Sequence, residues 1–363
     1  MSATAPIDRN TVQDTSSADV ARPRGSALAL IGKCLLLGLA TVATVLALFL
    51  FVPEGNDYAE ATLLKHGRLA ALPGPRIILV GGSNLAFGID STIIERNTGC
   101  RVVNMGMNGY LGVQYMLSEV RPFLHRNDIV VVALEYDNYH KAIGGTPSDQ
   151  LMIVKANPAA FTYLDADQRK AVLSTIPYVA QQKMLRLMRD GLGNAWLRLF
   201  NPEGGKGPNI SEIESLAGFT EHGDLISHLN VDWPGHREDG IDMTGTPRDP
   251  QVIPLLQQFT SDVRAEGVNV LISYTPVIDS FYRRHQRSID GLYEELKHAP
   301  QLTVPSPPTA FVYGEDLFFD TVYHLNAAGR VLRSERLARD IVGQFDTRTI
   351  CAGQHMTTTE ASE

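Results

Sequence analysis

The chain has 363 residues, of which 44% are hydrophobic and 20% charged, so it is long enough for one globular domain with extensions. Its formal net charge is −8 and it has no basic run interleaved with aromatic residues, which argues against a nucleic-acid partner. Three cysteines are too few for a disulfide scaffold, and their spacing matches no zinc motif. We interpret Cys100 and Cys351 as two free thiols, with a disulfide in an oxidising compartment as the alternative.

The N-terminal region predicts a membrane anchor. Residues 1–25 contain almost no large apolar side chains and are expected to form a disordered cytoplasmic tail. Residues 26–52 are apolar on all sides and long enough for a transmembrane helix. Basic residues precede this helix and acidic residues follow it, so the positive-inside rule predicts a single-pass protein of the cytoplasmic (inner) membrane with a periplasmic domain. A cleaved signal peptide ending near residues 59–61 is the alternative.

The remaining chain predicts an α/β domain. Residues 53–75 form a linker with a short amphipathic helix, and short apolar runs then alternate with helical patterns over residues 76–345. Such alternation is typical of parallel βαβ units and therefore of a parallel sheet. The predicted strands are 77–80, 101–104, 128–134, 268–274 and 302–304, and the predicted helices are 90–96, 113–124, 250–266, 284–297 and 326–345.

Two regions depart from this alternation. Residues 141–248 are predicted to be an insertion at the carboxyl edge of the sheet, with a helical stretch at 165–190, and residues 346–363 are expected to form a disordered tail. His222, His228 and His236 in the insertion match no metal-ligand spacing, so we interpret their segment as a solvated loop and predict no metal site. The arginines at 330, 333, 336 and 339 are interpreted as a solvated helix face.

Three short segments carry candidate catalytic residues. Ser83, in Gly-Gly-Ser-Asn, directly follows the first strand, where ligands bind in open α/β sheets. Gly109 follows the second strand, where glycine lets backbone N–H groups approach a ligand. Asp320 and His324 stand just ahead of the final helix, and a serine nucleophile needs a base that is oriented by an acid. Each segment alone is also compatible with an ordinary turn or helix cap.

Together these segments resemble the SGNH (GDSL-like) hydrolase family, whose sequence blocks occur in this order across residues 76–345. The resemblance implies a three-layer, flavodoxin-like α/β fold with Ser83 as nucleophile, His324 as base and Asp320 as the acid that orients it. It also implies an oxyanion hole that contains the N–H groups of Ser83 and Gly109. Two departures are Gly-Gly-Ser in place of Gly-Asp-Ser, and three residues in place of two between the aspartate and the histidine.

The third block of the family shows the clearest departure. The family places an asparagine side chain after the third strand as an oxyanion donor, but the best-aligned residue here is Asp137, whose charge would oppose an oxyanion. Either Asn138 donates through a one-residue shift, or the backbone N–H groups act alone. Glu135 and Asp137 are expected to contact substrate or to be satisfied polar groups at the sheet edge.

The anchor and these motifs are similar to SGNH-like proteins that partner membrane-bound O-acyltransferases in acylating exported polysaccharides. The resemblance implies transfer of an acyl group from a donor to a glycan acceptor through a Ser83 acyl-enzyme, with no cofactor and with a membrane-bound O-acyltransferase as partner. An esterase with the same triad is one alternative, because both reactions share the acyl-enzyme. A non-catalytic glycan-binding or scaffolding module is another.

Overall fold

The central element of the fold is a four-stranded parallel sheet. The computed structural model describes residues 24–54, 56–140, 143–200, 210–231 and 242–352. The strands lie in the order β2-β1-β3-β4, which gives the α/β class predicted from the alternating pattern. Their bounds are β1 Ile77–Gly81, β2 Val102–Asn104, β3 Ile129–Ala133 and β4 Asn269–Ile272.

The prediction of a strand at residues 302–304 was wrong. The Thr303 carbonyl accepts a hydrogen bond of 2.8 Å from the Ile272 N–H, but the segment does not continue as a strand. A separate two-stranded parallel sheet consists of β5 Val277–Ile278 and β6 Val312–Tyr313. Neither of these two-residue strands is long enough to produce a recognisable hydrophobic period.

Helices cover the sheet and form most of the remaining described chain. The predicted helices are found with shifted ends, whereas the short helix that begins at Ser83 was not predicted. The helices are α1 Arg24–Phe51, α2 Ala61–Ala71, α3 Ser83–Gly88, α4 Ser91–Thr98, α5 Val113–Val120, α6 Pro147–Ala156, α7 Ala166–Phe200, α8 Ile210–Ile213, α9 Val252–Ala265, α10 Asp279–His298, α11 Ala327–Gln344 and α12 Thr347–Ile350.

The sheet is buried on both faces, which explains why its strands are continuously apolar. Val130 and Val132 of β3 face a core that also contains side chains of α5 and α9. Ile129 and Val131 face the opposite core, where α3, α4 and α11 contribute Leu85, Ile94, Leu337 and Ile341. The carboxyl ends of the strands therefore open at one edge between these helical layers.

The N-terminal helix α1 is a candidate membrane span. Residues 27–51 are long and apolar enough to cross a bilayer, and most of their side chains are exposed. The end of α1 is attached to α7, because Lys183 Nζ donates to the carbonyls of Phe49 and Val52 at 3.0 and 2.9 Å. The tail predicted for residues 1–25 falls almost entirely outside the described residues.

The predictions for the cysteines and the C-terminal tail need correction. Cys100 and Cys351 form a disulfide, with their Cα atoms 5.3 Å apart, and are not free thiols. Residues 346–351 are ordered, because α12 returns the chain to the core beneath α4. The sequence separation of 251 residues left no local signal for this pairing. Residues 353–363 of the predicted tail lie outside the described residues.

Replacing both disulfide cysteines by serine is expected to lower the free energy of unfolding by roughly 3–5 kcal/mol, because the bond closes a very long loop in the unfolded chain. Urea unfolding of the double variant and the oxidised wild type measures the difference. Cys34→Ser is the control, since Cys34 is an exposed free thiol. Equal stability of the double variant and this control would contradict the pairing.

Candidate active site

The turn after β1 presents Ser83 at the carboxyl edge of the sheet. β1 ends at Gly81, Gly82 precedes the helix, and Ser83 begins α3 with its side chain half-buried. A Cβ on Gly81 would lie 2.3 Å from the Ala133 carbonyl oxygen, so glycine is needed where β1 approaches β3. The serine hydroxyl therefore sits on a tight turn, as the sequence predicts, although it begins a helix that was not predicted.

The structure brings the three predicted catalytic side chains together. His324 Nδ1 lies 2.7 Å from Asp320 Oδ1, and His324 Nε2 lies 2.9 Å from Ser83 Oγ. The imidazole ring stacks on Phe87 with centroids 4.0 Å apart and planes within 3° of parallel. Because the carboxylate accepts from Nδ1, Nε2 faces the hydroxyl in the orientation that a general base requires.

A compact turn absorbs the extra residue between Asp320 and His324. The Thr321 hydroxyl oxygen accepts the N–H of His324 at 3.1 Å, and the Phe319 N–H donates to the His324 carbonyl at 2.8 Å. Below this turn, His228 Nε2 lies 3.0 Å from the Leu325 carbonyl oxygen, so this nitrogen carries the proton. Burial lowers the pKa of His228 to about 4, which keeps that ring neutral.

Of the residues predicted to form the oxyanion hole, Ser83 and Gly109 have N–H groups free to donate in the described part of the chain, whereas the Asn138 side chain does not. Among the described residues we find no acceptor for the N–H groups of Ser83 and Gly109, which remain available to a ligand. Asn138 instead closes the turn after β3: its Nδ2 donates to the Gly109 carbonyl at 2.8 Å, and its Oδ1 accepts the Glu135 N–H at 3.2 Å. Asp137 accepts the Tyr323 hydroxyl at 2.8 Å.

Glu135 is the residue of the site whose role the sequence did not specify. Its Oε1 accepts the Ser83 hydroxyl and the Asn84 N–H, each at 3.0 Å, and the side chain is buried. Side chains on Gly82 or Gly109 would overlap this carboxylate, because added Cβ atoms would lie 2.5 and 2.2 Å from its oxygens. The available signal was its position directly after the strongest strand, at the same sheet edge as Ser83.

The interpretation of the α11 arginines as a solvated face was wrong for two of them. Arg333 is 1% exposed, and its Nη2 donates to Asn84 Oδ1 at 2.7 Å. Arg330 is also buried and lies 3.7 Å from Asp224. Burial lowers the pKa of Arg333 to about 9, and the nearby Glu135 carboxylate opposes this effect. The guanidinium is therefore linked to the serine turn through Asn84.

The interpretation of the insertion histidines as part of a solvated loop was wrong for His222 and His228, which are buried and have protein partners. A hydrogen bond with Glu95 raises the pKa of His222, and His228 supports the His324 turn. His236 lies outside the described residues. Within the described ranges, no group of three or more His, Cys, Asp or Glu side chains is arranged to hold a metal ion.

A cavity of about 250 Å³ opens beside Ser83 and His324. Its wall is mostly apolar, and its carboxylates are Asp149 and Glu214. Burial raises the pKa of Asp149, which accepts a 3.0 Å hydrogen bond from Asn108. No lysine or arginine of the described chain lines this cavity. The lining residues are Asn56, Tyr58, Ala59, Ser83, Phe87, Met107, Asn108, Tyr110, Leu111, Asp149, Met152, Ile153, Glu214 and His324.

Comparison with protein-family models, curated proteins and solved structures finds no match for this chain. A functional assignment therefore depends on the residues and their geometry.

Gly109→Ala is expected to destabilise the protein by about 1–3 kcal/mol, because its methyl group would overlap the Glu135 carboxylate. Gly144→Ala is the matched control, since the nearest atom to its added Cβ is 3.6 Å away. Chemical unfolding of both variants measures the difference. Equal stabilities would show that Gly109 and Glu135 are not packed as described.

Proposed function

We propose that the chain is an SGNH-type enzyme with a flavodoxin-like fold, which transfers an O-acyl group to an exported polysaccharide outside the cytoplasmic membrane. The observation that carries this proposal is the continuous chain of hydrogen bonds from Asp320 through His324 to Ser83. Such a chain activates a serine, whose hydroxyl is a weak nucleophile at neutral pH.

In the first step, His324 removes the Ser83 proton while Oγ bonds to the carbonyl carbon of an acyl ester. The N–H groups of Ser83 and Gly109 stabilise the negative charge that develops on the carbonyl oxygen. The carbonyl then re-forms, the bond to the donor oxygen breaks, and protonated His324 returns its proton to the departing alcohol. Asp320 orients the ring and stabilises its charged form.

In the second step, an acceptor hydroxyl gives its proton to His324 and its oxygen bonds to the acyl carbon. The bond from that carbon to Ser83 Oγ then breaks, and His324 returns the proton to Oγ. Attack by a sugar hydroxyl gives an acylated glycan, and attack by water gives the hydrolysis that an esterase performs. The triad serves both reactions. We favour transfer because the site lies beside residues 56–59, shortly after the candidate span α1.

The cavity constrains the substrate. Its volume of about 250 Å³ lies below the roughly 300–1,000 Å³ of typical small-molecule pockets, so it suits an acyl group better than a whole oligosaccharide. The two carboxylates in its wall disfavour an anionic sugar and favour a neutral acceptor. An acyl donor supplied by a membrane-bound O-acyltransferase would fit an anchored domain.

One observation favours a second candidate, a non-catalytic glycan-binding module. The Glu135 carboxylate contacts the Ser83 hydroxyl, and a negative charge there opposes oxyanion formation. In such a module Ser83 would serve as a hydrogen-bonding residue.

Ser83→Ala is expected to abolish labelling by a fluorophosphonate probe and to lower turnover of p-nitrophenyl acetate by roughly 10⁴–10⁶-fold, because no nucleophile remains. Asp320→Asn is expected to lower turnover by about 10⁴-fold with the fold retained. Active-site labelling and steady-state kinetics of the full chain in detergent measure both effects.

Thr309→Ala is the matched control, because Thr309 is an exposed residue of the short 3-10 helix Pro308–Phe311 and does not line the cavity beside Ser83. If neither the folded wild type nor a folded Glu135→Gln variant is labelled or turns over ester, the enzyme is rejected and the binding module remains. Addition of neutral oligosaccharides, followed by mass spectrometry of acylated product, separates transferase from esterase.

A further inference from the structure

The carboxylate beside Ser83 has the surroundings of an ion. Glu135 Oε1 accepts the Ser83 hydroxyl at 3.0 Å, the Asn84 N–H at 3.0 Å and the Asn84 side-chain amide at 3.4 Å. Three donors converge on one oxygen, which suits a charged acceptor that carries no proton. Glu135 is therefore the acceptor in all three contacts.

The buried Arg333 guanidinium balances the charge of Glu135, and the Asn84 side chain connects the two groups. Arg333 donates to Asn84 Oδ1, while Asn84 Nδ2 donates to Glu135. Within the described ranges Arg333 forms no salt bridge of its own, and the charge of Glu135 opposes the effect of burial on the Arg333 pKa. Removing one of two buried, connected charges leaves the other uncompensated.

The same carboxylate competes with His324 for a single proton. Ser83 Oγ lies 2.9 Å from His324 Nε2 and 3.0 Å from Glu135 Oε1, but the hydroxyl can donate to only one of them. A hydroxyl that donates to Glu135 is not poised to lose its proton to His324. The other carboxylate oxygen lies against Gly109, whose N–H is proposed to hold the oxyanion.

We propose that Glu135 is a further catalytic residue that gates Ser83. In the described conformation it competes with His324 for the serine proton and places negative charge beside the oxyanion site. Attack begins when the carboxylate leaves these contacts, so that Ser83 donates to His324 and the proton moves there as Oγ bonds to the acyl carbon. This inference rests on the proposed function, because it concerns the reactivity of Ser83.

Glu135→Gln is expected to raise the rate of Ser83 labelling by a fluorophosphonate about ten- to a hundredfold, the factor that corresponds to one hydrogen bond to a charged group. The amide removes the negative charge and accepts the hydroxyl more weakly. Glu135→Asp keeps the charge on a shorter side chain and is expected to fall between wild type and Glu135→Gln. Glu95→Gln is the matched control, because Glu95 binds Arg68 and the Val102 N–H and does not contact Ser83.

An unchanged or slower labelling rate in folded Glu135→Gln would overturn the gate, while labelled wild type would leave the proposed function intact. Absence of labelling in wild type and in every folded variant would reject both proposals. If Glu135→Gln unfolds because Arg333 is left uncompensated, the double variant Glu135→Gln/Arg333→Met removes both charges and gives the same test.

A second inference, from a different observation, concerns α7. Just after Lys183 this helix exposes four large apolar side chains, with fractional exposures from 41% to 56%. They are Met184, Leu185, Leu187 and Met188. Arg186 lies among them and Arg189 follows directly, so the segment combines apolar and basic groups.

This segment lies beside the end of the candidate span. Lys183 binds the last carbonyls of α1, Arg186 binds the Pro53 carbonyl, and the two helices pack together. Apolar side chains next to a span, interrupted by arginines, are typical of a helix lying at the lipid headgroups. In the described part of the chain only α1 is apolar enough to cross a membrane, so α7 would lie at the surface.

We propose that residues 184–188 contact the same lipid bilayer that α1 enters, which rests on the proposed membrane anchor but not on the catalytic function. A fluorophore sensitive to polarity is attached to a single cysteine at Leu185 or Met188, in the full chain with Cys34→Ser, in nanodiscs that contain anionic lipid. Quenching by doxyl-labelled lipid is expected to be at least twofold stronger there than at Leu173. Leu173 is a matched control, since it is 55% exposed and lies ten residues, about 15 Å, before Lys183 on the same helix.

Equal quenching at residues 185 and 173 would overturn the α7 contact. The native Cys34 of α1, labelled in the wild-type chain, reports on the anchor itself. Quenching at Cys34 without quenching at residue 185 rejects only the α7 proposal, whereas no quenching at either position rejects the anchor as well.

Discussion

The parallel pairing of β1 with β3 is the constraint on which the site depends. Gly81 lies opposite Ala133 in this register, and each strand ends there. Ser83 and Glu135 each stand two residues beyond this pair. Because the two neighbouring segments extend equally far past it, their side chains come into contact. A shift of one residue in either strand would separate them. The contact between hydroxyl and carboxylate is thus a property of the sheet, and the surrounding loops have to accommodate it.

Helix α11 joins the other two parts of the site to that sheet edge. At its start, Asn326 caps the helix and follows directly on the turn that holds His324. Further along, Arg333 reaches the backbone and side chain of Asn84 in the serine turn. One helix therefore supports both His324 and the turn that carries Ser83, and a displacement of α11 would affect the two together.

Much of the architecture could be predicted because buried parallel strands are short apolar runs, and the runs at 77–80 and 128–134 were recognisable as such. The positions of Ser83, Asp320 and His324 followed from strand ends and helix starts, although their catalytic roles remain proposals. Arg333 and the cysteine pair could not be predicted, because their partners are remote in the sequence and an arginine on a helix usually faces solvent. Glu135 was visible as a polar residue after a strand, but its contact with Ser83 depends on strand register, which a pattern of apolar residues does not specify.

The attachment of α1 to α7 limits how far the domain can move from the end of α1. Lys183 holds the final carbonyls of α1, and Glu54 pairs with both Lys183 and Lys155 of α6, so the chain leaves α1 against helices of the domain itself. A domain held to the end of α1 by these hydrogen bonds and ion pairs cannot move away from it as a domain on a long flexible linker can. If α1 crosses the bilayer, the height of Ser83 above the lipid is set by the protein, and the polysaccharide acceptor that we propose would be modified only where it passes at that height.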